Sequence, residues 1–247
     1  MGFLALNRRR GGRARSGKKE NKISRNPFSI KLRFESLEDR RLLSTSGTLT
    51  PNDTFYPNQW GLAALNIEQA WQFSYGQGIT VAVIDDGVQY DHEDLAANMW
   101  INSDEIAGDG IDNDHNGYVD DYYGYGFYDN TSNVFLNDYY GHGTAVAGVI
   151  GAVQNNGKGI SGIAPESKIM ALRVYPSTAS YDAVTVINAT IESIYYAVDN
   201  GARVINLSST FYMSPLWDMD LVDNLHAATL YAKAHNVIVV ALSLIHI

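Results

Sequence analysis

Four short apolar runs, separated by segments of helical periodicity, set the strongest constraint on this chain. The first, GITVAVID (Gly78–Asp85), is continuously apolar and bounded by glycine and acids. SKIMALRVY (Ser167–Tyr175), ARVINLSS (Ala202–Ser209) and VIVVA (Val237–Ala241) follow it. Runs with no polar alternation are strands covered on both faces, the pattern of a parallel sheet. Between them lie a small-residue helix, GTAVAGVIGAV (Gly143–Val153), and two longer helical stretches at 182–200 and 218–236, the first stopped by Gly201. ALNIEQAWQF, after Trp60, also has helical spacing, and residues 102–133 are polar, aromatic and acidic, a long loop. Strand and helix in alternation predict an α/β fold with a doubly wound parallel sheet. The apolar fraction of 45 % over 247 residues is enough for its core.

Charge divides the chain. The net charge is −9, yet residues 1–44 hold 13 of the 18 Lys and Arg beside four acids, which leaves the rest with 5 bases and 23 acids. A basic, low-periodicity segment (1–44) is expected to be disordered, followed by a linker or arm (45–57) and an acidic globular body (58–241). Such a body repels phosphate backbones, so nucleic acid is not an expected partner, whereas divalent cations are. Cysteine is absent, which removes disulfides and thiolate chemistry together. No apolar run reaches the ~18 residues of a membrane span.

Two residues carry the chemistry. Functional groups of a parallel sheet gather beyond the carboxyl ends of its strands, and Asp85 ends the first strand. An ionised aspartate there needs partners. His142 lies between Gly141 and Gly143, which allow close backbone approach at the start of the small-residue helix. Taken singly, Asp85 reads better as a helix cap or turn acid and His142 as a hydrogen-bonded core histidine; only together do they favour a functional pair. Asp86 is the competing acid. Gly157–Gly162 fits GxGxxG but follows a helical pattern, so the dinucleotide reading fails, and no HExxH zinc motif occurs.

A calcium loop is legible in GDGIDNDHNGYVDD. Asp112, Asp114 and Asn116 offer side-chain oxygens at alternate positions, Gly117 supplies the sharp turn and Tyr118 a backbone carbonyl, with Asp120 or Asp121 to complete the set. Tyr123 stands where an EF-hand would have its bidentate Glu, so this is a DxDxN loop of another kind. Five acids within Asp109–Asp121 repel one another unless a cation sits among them.

VAVIDDG and GHGTAVAG, in this order and 57 positions apart from Asp85 to His142, resemble the Asp and His motifs of subtilisin-like serine peptidases, the subtilases. GIAPESKIMALRV (Gly162–Val174) and VINLSS (Val204–Ser209) resemble further segments of that family, and the similarity runs from about Thr50 to Ala241. The resemblance implies an endopeptidase acting on peptide or protein substrates by acyl transfer. His142 would be the general base and Asp85 its orienting carboxylate. Ser208, Ser209 and Thr210 would lie along an extended substrate. It also implies a second calcium site from TPNDTFY, QYDHEDL and VQNNGKGIS: Asp53, Asp94 and Asn156, with the carbonyls of Gln154, Lys158 and Ile160. Asp86 stands where the family usually has a small hydroxyl residue, Ala145 replaces a second histidine, and Thr210-Phe211 stand where glycine is usual. FESLEDRRLLS (Phe34–Ser44) resembles the LEPRxLL segment of large exported bacterial proteins, so a secreted or cell-surface location is expected.

The family's A-x-G-N and G-T-S-M-A motifs, which supply the oxyanion asparagine and the serine nucleophile, have no counterpart here. The chain runs from Ala241 into LSLIHI, which reads as a non-native tail (242–247), with the sheet incomplete at its C-terminus. Two expectations follow. One is an N-terminal fragment of a calcium-stabilised serine endopeptidase, inactive alone. The other is a non-catalytic calcium-binding or scaffolding protein on a degraded peptidase fold.

Overall fold

The computed structural model describes residues 50–136, 141–178, 180–208 and 219–242. The Phe34–Ser44 segment, Ser209, Thr210 and most of the expected tail lie outside them. Five strands form one sheet: β1 (Thr80–Asp85), β2 (Gly124–Gly126), β3 (Lys168–Arg173), β4 (Val204–Leu207) and β5 (Ile238–Ala241). The order is β2-β3-β1-β4-β5 and every pairing is parallel. β1 is therefore central, with Asp85 level with Arg173 of β3 and Ile84 level with Leu207 of β4.

The helices are α1 (Trp60–Ala64), α2 (Ile67–Trp71), α3 (His142–Gly151), α4 (Ala183–Asp199) and α5 (Met219–Ala234). Alternation along each strand divides the core between the two faces. Val81, Val83, Ile169 and Ala171 pack with Ala147 of α3. Ala82, Ile84, Met170, Leu172, Ile205 and Leu207 pack with α4 and α5. Helices on both faces make this the doubly wound α/β sheet read from the alternating runs.

Local chemistry explains the elements. α4 starts at Asp182, whose carboxylate accepts from the Thr185 amide at 2.9 Å. It ends at Gly201, whose φ of 80° suits glycine. α3 presents Gly143, Ala147, Gly148 and Gly151 to the interior. Their small size lets its backbone lie close to the sheet. ALNIEQAWQF (64–73), expected as one helix, holds the last residue of α1 and the whole of α2, because Asn66 between them adopts φ 53°.

Two strand readings change. β2 was concealed in the long loop: three residues, two of them glycine, give no periodic signal. β5 was expected to be buried, but Ile238 is 63 % and Val240 51 % exposed, because β5 is the sheet's edge among the described residues. Leu172 is fully buried in the layer under α4. Leu172→Ala removes that packing and is expected to lower unfolding free energy by about 2–5 kcal/mol, measured by urea titration.

Candidate active site and acidic loop

Two consecutive acids leave the carboxyl end of β1 in different directions. Asp85 is 3 % exposed. Its Oδ1 accepts the Asp86 amide at 2.8 Å and lies 2.8 Å from His142 Nδ1. Its Oδ2 is buried with no hydrogen-bond partner. Asp86 instead accepts the backbone amides of His142 and Gly143, at 3.0 and 2.6 Å. Of the two acids, it is Asp85 whose carboxylate meets the imidazole, while Asp86 meets main-chain amides.

Glycine makes this approach possible. A Cβ on Gly143 would fall 2.9 Å from the Asp85 Cβ and 3.0 Å from Asp86 Oδ1. The Gln89 amide, donating to Thr144 Oγ1 at 2.9 Å, adds a third tie between the turn after β1 and the first turn of α3.

The electrostatics follow from burial. Removal from water pushes the Asp85 carboxyl up, against the lowering effect of His142 and the Asp86 amide. The bond to Asp85 raises the His142 pKa above its ordinary 6.5, with burial opposing and the charges of Asp85 and Asp86 assisting. The His142 side chain is 54 % exposed. In the neutral ring, a proton on Nδ1 donated to Asp85 leaves the Nε2 lone pair free to accept one.

Ser208 follows β4 at the same end of the sheet, and its Oγ accepts from Asn206 Nδ2 at 2.9 Å. Arg173, fully buried at the end of β3, donates to the carbonyls of Asn133 and Tyr175 and pairs with Asp129 at 2.5 Å. It pins the segment after β2 to the end that carries Asp85.

The acidic loop gathers three carboxylates. Oxygens of Glu105, Asp112 and Asp114 lie within 4.8 Å of one another. Glu105 is 5 % exposed; Oε1 accepts the amides of Asn113 and Asp114, at 2.7 and 3.1 Å, while Oε2 is buried without a partner. Burial acts to raise Asp112, but amides of Gly117, Asn116 and His115, together with a side-chain bond to Asp114, outweigh it and hold the carboxyl below its usual range. An oxygen-only donor set with one unsatisfied buried oxygen suits a hard cation such as calcium.

The other loop residues stand around this cluster. Asn116 Nδ2 donates to both Asp114 and Asp121, at 2.9 Å each, and Asn116 Oδ1 accepts the Tyr118 amide. The Tyr118 ring packs edge-on against Tyr125, Phe127 and Tyr196. Asp121 is fully buried and accepts from Asn102, Asn116 and the Tyr196 hydroxyl, the last at 2.6 Å. Burial and Asp121 together push the Tyr196 phenol far up. Asp120 accepts the amides of Gly108, Asp109 and Gly110. Asp120 and Asp121 thus brace the loop from outside the three-carboxylate group.

The second expected calcium site is also brought together. Asp53 accepts the amides of Asn155 and Asn156, both at 3.0 Å. Asp94 accepts from Asn156 Nδ2 at 2.7 Å and the Ile160 amide at 2.9 Å. Gln154 bonds Ser161 Oγ, and Lys158 pairs with Glu93. Here all four carboxylate oxygens have N–H donors, unlike Glu105 Oε2.

Residues 76–242 match the model of the subtilase family. This chain belongs to that family. It is 36 % identical over 160 residues to thermitase of Thermoactinomyces vulgaris, covering 64 % of this chain and 47 % of thermitase. It is 36 % identical over 175 residues to an extracellular protease of Xanthomonas campestris, covering 65 % and 30 % respectively. Among solved structures, fervidolysin of Fervidobacterium pennivorans, a keratinolytic enzyme related to subtilisin, aligns with TM-score 0.54 and 26 % identity, over 77 % of this chain and 25 % of that one. The subtilase segment here spans about half the length, or less, of the curated relatives it matches.

Glu105 escaped the sequence reading because it lies seven residues before Asp112, outside the alternate-position pattern, and only the folded loop returns it. Arg173 escaped because nothing in a strand sequence says that its last residue will be fully enclosed.

The pairing of His142 fixes a sign for pH. A folded pKa above 6.5 means the pair stabilises the fold fully below about pH 6.5 and loses that contribution as pH rises through the raised value. The melting-temperature gap between the wild type and His142→Gln is expected to be widest at low pH and to shrink upward. Scans from pH 5 to 9 measure it.

Proposed function

We propose that this subtilase segment supplies the general base and orienting carboxylate of a serine endopeptidase. The 2.8 Å contact between His142 Nδ1 and a buried Asp85, with the His142 side chain 54 % exposed, carries the reading. His142 Nε2 would take the proton of a serine nucleophile as its oxygen attacks the scissile carbonyl. It would then return that proton to the leaving amine. Asp85 stays ionised throughout, holding the tautomer and stabilising the imidazolium. The serine and the oxyanion donor do not occur in the family's sequence context within these 247 residues. Ser208, Ser209 and Thr210 would pair with an extended substrate beside β4, and the substrate class is peptide or protein.

The expected behaviour is specific. Residues 1–247 alone hydrolyse no peptide. Joined to a subtilase C-terminal portion that carries the A-x-G-N and G-T-S-M-A motifs, the chain hydrolyses peptides. His142→Ala then lowers kcat/KM on the order of 10⁴-fold or more, the scale established for members of such triads. Turnover that survives His142→Ala sinks the assignment. A folded, calcium-loaded fusion with no turnover favours the non-catalytic scaffold reading.

Calcium is the second element of the proposal. Glu105, Asp112 and Asp114 would hold one ion, with Asn116, Asp121 and the Tyr118 carbonyl in support. Asp53, Asp94 and Asn156, with the carbonyls of Gln154, Lys158 and Ile160, would hold another. The unsatisfied Glu105 Oε2 favours the first site. Calcium at about a hundred times its dissociation constant is expected to add about 2.7 kcal/mol of stability per site. Glu105→Gln should remove the increment of the loop site and leave that of the Asp53 site. Calorimetric titration with no heat at millimolar calcium would remove both. One relative is named an extracellular protease, and no helix among the described residues is long and apolar enough to cross a membrane. Export to the cell surface or medium is the location we infer.

A further inference from the structure

The first amides of a helix have no partner inside it, and a cap normally comes from the side chain just before the helix. In α3 that position is Gly141, at φ 53° and with no side chain to offer. The cap comes instead from Asp86, 56 residues before His142, whose two oxygens take the amides of His142 and Gly143 separately. A carboxylate suits this place, since the helix N-terminus carries partial positive charge. A serine or threonine hydroxyl, usual at this position in the family, has one oxygen and could not give each amide an acceptor oxygen of its own.

We propose that Asp86 is a positioning residue: by holding the main chain of His142 and Gly143, its carboxylate fixes the height and direction of the imidazole over Asp85. This rests on the reading of Asp85 and His142 as the reacting pair. The two acids then divide one task. Asp85 fixes the ring through Nδ1, and Asp86 fixes the backbone from which the ring hangs. Among the described residues, Asp85 at the end of β1 and Asp86 in the turn beyond it are the charges that act on the ring. The cost of the arrangement is visible beside it. Asp85 Oδ2 is unpartnered, and an ionised carboxylate at residue 86 has no proton to donate to it.

Proton NMR of the 247-residue chain tests this through the low-field resonance of the imidazole Nδ1 proton and its exchange with water. Asp85→Asn is expected to abolish the resonance. Asp86→Ala is expected to abolish it too, with the His142 titration midpoint falling, although Asp85 is untouched. Asp86→Asn keeps the shape and one acceptor oxygen, so the resonance should persist while its exchange quickens several-fold. A merely structural cap would lower the melting temperature and leave the resonance unchanged. Wild-type exchange of the Nδ1 proton in either Asp86 variant, with Asp85→Asn abolishing the resonance, overturns the positioning role and leaves the pair intact. A resonance that survives Asp85→Asn overturns the pair itself.

Discussion

The arrangement of this protein turns on one buried carboxylate at the carboxyl end of a central strand. Withdrawing Asp85 from water penalises its charge, so the fold must surround it with donors. β1 can hold it still because β3 and β4 pair with it on both sides. α3 can come close enough to bring His142 because its inward face is built from glycine and alanine. A larger residue at Gly143 would collide with the very strand end that α3 must reach. Sheet order, helix composition and the 2.8 Å contact are therefore one constraint seen at three scales.

The acidic loop is tied to the same frame by a different route. Asp121, enclosed and accepting three hydrogen bonds, links the loop asparagines to the Tyr196 hydroxyl on α4. Tyr196, Tyr118, Tyr125 and Phe127 stack edge to face around that link. A cation that neutralises Glu105, Asp112 and Asp114 would relieve repulsion in a loop anchored to α4 and to the short β2–β3 pairing. Its effect would then reach the sheet by packing and hydrogen bonds, without need of a moving part.

Much of this was legible in the residues. Uninterrupted apolar runs gave the parallel strands, and glycines at 141, 143 and 201 marked a close approach and a helix stop. Asp85 and His142 stood out because a strand-end acid and a glycine-flanked histidine have few bland uses together. What escaped was set by tertiary contact. β2 is too short and too glycine-rich to carry a period. Glu105 joins Asp112 and Asp114 only when the loop closes. Asp86 read as a rival for the imidazole because sequence order places it next to Asp85, whereas the folded turn sends its carboxylate to the main-chain amides of His142 and Gly143. VIVVA looked buried because composition reports what a strand can cover, while exposure depends on which neighbours it has.

Among the described residues, two buried side-chain oxygens lack a hydrogen-bond partner: Asp85 Oδ2 and Glu105 Oε2. Folded proteins leave few such groups, since each forfeits its hydration with nothing in return. Both belong to carboxylates whose other oxygen is doubly engaged, so neither can turn to satisfy itself without breaking two existing bonds. The pattern differs at Asp53 and Asp94, which were also expected to bind calcium but have every oxygen supplied by amide donors. Stability alone would favour that second arrangement everywhere. Persistence of the first at the end of β1 and in the acidic loop marks the two places where the fold accepts a local cost; on the reading proposed above, one would serve to orient His142 and the other to hold a cation.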